Sequence, residues 1–286
     1  MTEPVSFTDS GLGEWTEEQV FEVTAERIAE YAAATNDPIP AHRAGEIAPP
    51  VFAVVPTFFS LAPAALEVAP VSLLMKLVHG EQDFHFRRPI RPGDVLTTRA
   101  RATGYAALST GSTVTVYAET VDAAGELVNE QWLAAFFRGV DAGATAGEQA
   151  PRHTLDEAVA EKPPLAEVTQ HVDEDQTFRY SPASGDPMPI HLDEEIARLS
   201  GLPGIINHGL CTMAFTSWAA LREFADGDVG RLKRLAVRFA KPVLPGQDIT
   251  TRFWELSSDS AETSYGFATS AGSDLVIRDG LAVVTR

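Results

Sequence analysis

The sequence predicts an α+β protein assembled from two copies of one module, on three observations. The segment Asn36-Asp37-Pro38-Ile39-Pro40-Ala41-His42 returns as Gly185-Asp186-Pro187-Met188-Pro189-Ile190-His191, with the acid, the outer prolines and the histidine all displaced by 149 residues. A second anchor, Phe86-Arg87-Arg88-Pro89-Ile90-Arg91-Pro92-Gly93, returns as Phe239-Ala240-Lys241-Pro242-Val243-Leu244-Pro245-Gly246, displaced by 153. After each anchor comes apolar and polar alternation, Val95–Arg101 and Ile249–Trp254, whose period of two is that of a half-buried strand. Two anchors at nearly equal offsets mark an internal duplication.

Along the chain, residues 1–20 are polar and lead into an entry strand at Phe21-Glu22-Val23. Thr24 has the hydroxyl to cap a helix running to Ala34. The apolar segment Val51–Leu77 follows Pro50 and is interrupted by Pro56, Pro63 and Pro70, which predicts a broken helix and a roomy interior for the first module. Hairpin turns are signalled by Asp122-Ala123-Ala124-Gly125 and by Arg278-Asp279-Gly280. Residues 141–170, rich in Gly, Ala, Glu and Pro, read as a linker between an N-terminal module, 1–140, and a C-terminal module, 171–286. In the second module, a short helix over 192–200 stops at Gly201, and Gly209 opens an apolar helix through Leu221.

The chain of 286 residues carries 22 Lys and Arg against 40 Asp and Glu, a formal charge of −18. That balance argues against nucleic acid and against an anionic membrane surface as partners. One cysteine excludes an intrachain disulfide, and neither a basic-then-apolar leader nor an apolar run of membrane-spanning length is present, so the expectation is a soluble, cytoplasmic protein. No His/Cys cluster at metal spacing and no Gly-rich phosphate loop is found, and no cofactor is expected.

The chemistry concentrates between Phe178 and Leu221. Ser184-Gly185-Asp186-Pro187 is turn sequence, which holds Asp186 in place, and His191 sits five residues on at the entrance of a short helix. A carboxyl and an imidazole fixed in one loop can divide a proton transfer between them. Gly209 lets a ligand oxygen approach the unpaired amides and positive dipole end of the helix it opens, a place for a developing oxyanion. In the first module Pro50 stands where Gly209 would be, and proline has no amide hydrogen to give. One active site per chain follows as an expectation, in the C-terminal module. Cys211 at the helix start reads as core packing, having no partner base.

The run Tyr180 to His191, followed by Gly201-Leu202-Pro203-Gly204 and by Asn207-His208-Gly209-Leu210-Cys211-Thr212-Met213, resembles the MaoC-like, (R)-specific enoyl-CoA hydratases and 3-hydroxyacyl-thioester dehydratases. The resemblance covers nearly the whole chain, more strongly in its second half. It implies a double hot-dog fold, in which each module wraps an antiparallel sheet around a central helix. It also implies a water held by Asp186 and His191 as catalytic pair, with the Gly209 amide as oxyanion hole. Met188 departs from the family, which carries Asn there.

The substrate implied is an acyl thioester on coenzyme A or acyl carrier protein, with a homodimer as the assembly. Tyr180, Ser184, His208, Arg238 and Lys241 are candidate substrate-binding residues. Phosphate contacts are sought among Arg87, Arg88, Arg91, Arg99 and Arg101 in one half and Arg231, Lys233, Arg234, Arg238 and Lys241 in the other. His79 and Gly80 match a segment of double hot-dog relatives without an assigned role. A hot-dog thioesterase and a non-catalytic acyl-thioester-binding subunit are the alternatives.

Overall fold

The computed structural model describes residues 7–286, so the first six residues of the polar N-terminal stretch lie outside the described residues. The first module contains β1 (Gln19–Glu22), α1 (Ala25–Ala34), the helical turn α2 (Pro40–Arg43), α3 (Phe58–Leu66), β2 (Leu77–Phe86), β3 (Val95–Leu108), β4 (Gly111–Val121) and β5 (Leu127–Arg138). A connection carries β6 (Ala146–Gly147) and the turn α4 (Glu157–Ala160). The second module contains β7 (Ala166–His171), α5 (Gln176–Ser184), α6 (Glu194–Leu199), α7 (Gly209–Phe224), β8 (Leu232–Phe239), β9 (Asp248–Ser258), β10 (Glu262–Ala271) and β11 (Asp274–Thr285).

The strands form one sheet in the order β1-β3-β4-β5-β2-β8-β11-β10-β9-β7, with β6 added beside β3. Counted outward from the centre, β2-β5-β4-β3-β1 and β8-β11-β10-β9-β7 are the same path walked twice. The two copies meet where β2 pairs antiparallel with β8, from Glu81 opposite Arg238 to His85 opposite Arg234. The duplication read from the anchors is therefore an approximate twofold relation within one chain.

Helix α7 shows why the second module has one central helix: every residue from Leu210 to Leu221 is buried, so it is wrapped on all sides. In the first module the prolines break the equivalent path into a 3-10 turn at Pro50–Val54 and the separate helix α3. The expected roominess is absent from this segment, because Val51–Val55 are 0–5% exposed and fill the interior. Helix α1 begins as its sequence predicts, with Thr24 Oγ1 accepting the Arg27 amide at 3.2 Å.

The modules are pinned by groups that sit near the twofold. The hydroxyls of Tyr31 and Tyr180 meet at 3.2 Å, Trp218 Nε1 donates to the Thr35 carbonyl at 3.2 Å, and Gln176 Nε2 donates to the Ala34 carbonyl at 2.5 Å.

The stretch 141–170 is not an unstructured linker throughout. It lays β6 beside β3, buries His153 with Nδ1 2.6 Å from the Asp279 carbonyl, and ends in β7, which pairs with β9 as β1 pairs with β3. β7 is an edge strand with exposed Glu167 and Thr169, so its short pattern carries little apolar signal.

Candidate active site

Helix α5 ends at Gly185, whose φ of +80° is the left-handed C-cap conformation that glycine adopts without strain. The chain then turns sharply enough to fix Asp186 from three sides. Its amide donates to Ser184 Oγ at 3.3 Å, its carbonyl accepts from Ser181 Oγ at 2.6 Å, and its Oδ1 accepts the Met188 amide at 3.0 Å. Met188 serves through its backbone, accepting the His191 amide at 3.1 Å in the 3-10 turn Pro189–His191. Ser184 and Tyr180 thus shape the loop, and Tyr180 lies buried with its ring 4.9 Å from that of His208.

His191 is 8% exposed, and its Nδ1 lies 2.9 Å from the Ile206 carbonyl. A carbonyl only accepts, so Nδ1 carries the proton and Nε2 keeps its lone pair. Burial pushes the His191 pKa below the ordinary imidazole range, against the opposing pull of the Ile206 carbonyl and Asp186. Burial raises the Asp186 pKa, outweighing His191 and the Met188 amide. A neutral imidazole and a protonated carboxyl are the forms these environments favour.

His208 stacks on His191 with ring centres 3.8 Å apart at 25°, and its Nε2 lies 3.4 Å from the Asp186 carbonyl and 4.0 Å from Asp186 Oδ2. Its pKa falls well below the usual range through burial and the neighbouring His191. One donor atom from each of Asp186, His191 and His208 lies within 4.8 Å of the others, the one His/Cys/Asp/Glu cluster of metal-binding compactness among the described residues.

Gly209 begins α7 behind His208, which offers no side-chain cap. The first amides of the helix are left free to meet a ligand oxygen. A Cβ on Gly209 would come to 3.2 Å from Phe239 Cε1, so a side chain there fits only if the ring gives way. His191, Gly209, Asn207 and Thr212 line a cavity of about 340 Å³ whose apolar walls include Ile190, Ile206, Phe239 and Val243.

The far wall comes from the first module through Val78, His79, Gly80, Phe136 and Arg138. Pairing of β2 with β5 slips between His79 and Glu81, leaving Gly80 as an unpaired bulge; a Cβ there would lie 3.0 Å from the Ala134 carbonyl. The matched pair His79-Gly80 thus shapes the site from the opposite module. Phe136 and Arg138 carry no sequence signal beyond strand alternation.

Of the other candidates, Lys241 lines the cavity while Nζ lies 2.6 Å from Asp274. Arg238 does not reach it; it is held by Glu81 at 2.6 Å and Asp279 at 3.4 Å beside an adjoining groove. Arg87, Arg88, Arg99, Arg231 and Arg234 are likewise tied to carboxylates. Cys211 is fully buried and burial raises its thiol pKa, in keeping with core packing.

The duplicated pair behaves differently. His42 Nδ1 lies 2.7 Å from Asp37 Oδ2 with both side chains buried, and the matching pocket beside Pro50, Phe86, Arg88, Ile90 and Lys233 has shrunk to about 20 Å³, room for roughly one water.

Comparison with known proteins finds dehydratases and hydratases. Residues 156–273 match the MaoC like domain and residues 10–131 the dehydratase domain region described as FAS1-like. A probable enoyl-CoA hydratase 2 of Dictyostelium discoideum is 29% identical over 73% of this chain and 70% of its own length. The peroxisomal multifunctional enzyme type 2 of Mus musculus is 34% identical over 63% of this chain, but the match spans only 24% of that protein. The crystal structure of a MaoC-like dehydratase from Phytophthora capsici superimposes with a TM-score of 0.84 at 23% identity, covering 97% of this chain and 98% of the other. No helix among the described residues is long and apolar enough to cross a membrane. With two dehydratase matches in tandem and a sheet that repeats itself about β2 and β8, the chain carries a MaoC like domain behind a second dehydratase-type module, in the double hot-dog form.

Proposed function

We propose that the chain is a hydro-lyase that reversibly adds water across the 2,3-double bond of a trans-2-enoyl thioester, giving an (R)-3-hydroxyacyl thioester. The observation that carries this reading is the opposed environment of Asp186 and His191 in one loop, with His191 and an uncapped helix amide at Gly209 in the wall of one cavity. Titratable groups whose surroundings favour opposite proton-transfer roles divide acid from base.

In the hydration direction His191 Nε2 accepts a proton from water as the water oxygen bonds to C3. The π electrons shift to C2, which takes a proton from the Asp186 carboxyl. Charge developing on the thioester oxygen is met by the Gly209 amide. The proton left on His191 returns to Asp186 through water, restoring both groups. Every proton in this sequence is held by a protein group or by water. The first module supplies walls and a closed counterpart site, and we assign it no catalysis. A homodimer in the cytoplasm is proposed with it, supported by the family resemblance for the dimer; light scattering and cell fractionation test these, a peroxisomal location being the alternative that relatives' names carry.

Product identity tests the reaction. Incubation with a trans-2-enoyl-CoA in ¹⁸O-labelled water should give a 3-hydroxyacyl thioester with one labelled hydroxyl and no free thiol. Labelled free acid together with free thiol would mean thioester hydrolysis and would overturn it.

A further inference from the structure

We infer that the carrier portion of the substrate is bound outside the catalytic cavity, in a groove between the outer face of the sheet and segment 149–154, where Arg152 and Arg278 take the phosphates of a free nucleotide thioester of the coenzyme A type. The inference rests on the thioester reading above. It assigns to the connecting segment a part in substrate binding.

The groove is a second volume of about 770 Å³, and it shares Gly80, Phe136, Phe239 and Ala240 with the catalytic cavity, so the two volumes meet at those residues. Its outer wall is the connection. That wall is fixed: the Glu148 amide donates to the Thr103 carbonyl at 2.7 Å, and Gln149 Nε2 donates to the Tyr105 carbonyl at 3.3 Å. His153, buried, spans Glu81 of one module and the Asp279 carbonyl of the other. Burial opposes its protonation, but Glu81 and the Asp279 carbonyl outweigh it and raise its pKa, so the imidazole ties the connection to both modules.

The distribution of paired and unpaired bases points to the ligand. In a chain of formal charge −18, Arg238 and Lys241 are each held by a carboxylate at 2.6 Å. Arg278 reaches Asp279 only at 3.8 Å and is half exposed, and Arg138 and Arg152 have no carboxylate partner among the described residues. These three stand at the cavity and its adjoining groove. An acidic protein that binds a polyanion needs such uncompensated guanidinium groups at the binding position, and planar guanidinium suits phosphate. A pantetheine arm tethered to a carrier protein brings one phosphate and would leave the groove largely empty. A free coenzyme brings a nucleotide with a pyrophosphate and a 3′-phosphate, an occupant in keeping with a volume within the ordinary range of small-molecule sites.

The test compares one trans-2-enoyl group carried on coenzyme A, on pantetheine without phosphate, and on acyl carrier protein. The ratio of kcat/KM for the coenzyme A ester to that for the pantetheine ester should fall about tenfold in Arg152→Glu and in Arg278→Glu, and by less in Arg152→Gln. It should stay at the wild-type value in Arg222→Glu, an exposed base on α7 that lines neither the groove nor the cavity. Raising salt should lower the same ratio in the wild type. Equal losses on both esters, an unchanged ratio, or faster turnover of the carrier-protein ester would overturn the inference while leaving the reaction intact. Failure of the wild type on every ester would instead remove the thioester reading itself.

Discussion

His42 closes on Asp37, with Nδ1 2.7 Å from Oδ2 and both side chains buried, and so fills the hydrogen bond that its counterpart His191 gives to the Ile206 carbonyl instead. The same acid and histidine are thus a sealed pair in one module and separate groups in the other, where His191 lines the cavity and Asp186 lies in the loop behind it. His42→Ala should cost about 1–3 kcal/mol of stability, because it leaves a buried carboxyl without its partner. Denaturant unfolding measures this; a midpoint equal to wild type would show that the pair does not stabilise the fold.

At the oxyanion position, Gly209→Pro removes the amide hydrogen and should lower kcat by about 10²–10³, the loss typical of one oxyanion donor. Gly209→Ala keeps the amide but sets a methyl 3.2 Å from Phe239. Steady-state kinetics should place it between wild type and the proline variant, with partial recovery in Gly209→Ala/Phe239→Leu. A double variant no better than Gly209→Ala would mean that the ring is not what the methyl meets.

The pH profile follows from the opposed shifts. His191 must be neutral to accept a proton, so the acid limb of kcat/KM in hydration falls at its pKa, which burial places below the usual 6.5 of an imidazole. Asp186 must be protonated to give one, so the alkaline limb belongs to its raised pKa. Asp186→Asn should remove the alkaline limb from whatever activity survives. An acid limb at or above about 6.5 would contradict the assignment.

Stability has its own pH dependence through His79, whose pKa burial lowers to about 4. Between about 6.5 and 4 the unfolded chain protonates this residue while the folded chain does not, so its contribution is present above 6.5 and lost as pH falls. Asp186 and His153, with raised folded pKa values, work in the opposite sense. His79→Phe isolates the effect: from pH 7 to pH 5 it should lose less stability than wild type by on the order of 1–2 kcal/mol. Parallel curves for the two proteins would rule this out.

The duplication, the Thr24 cap, the buried helix from Gly209 and the turn at Asp186 were legible in the sequence because each is local chemistry: a hydroxyl, a glycine, an acid before a proline. Edge strand β7 was not, since it exposes alternate residues and follows Pro163-Pro164. The opposite wall of the site was only half visible. His79 and Gly80 match a segment of double hot-dog relatives, but the bulge that turns them into the cavity exists only once β2 has found β5. The ion pairs of Arg238 met a similar limit, because its partners Glu81 and Asp279 lie far away in sequence and the sheet brings them together.

The most direct test compares His191→Ala, Asp186→Asn and His42→Ala with wild type, following enoyl absorbance of a trans-2-enoyl-CoA while free thiol is monitored. The account predicts loss of the enoyl signal without thiol in wild type and in folded His42→Ala, and kcat lower by about 10²–10⁴ in each of the other two. Loss of turnover in folded His42→Ala as complete as in His191→Ala would contradict a single site built on Asp186 and His191.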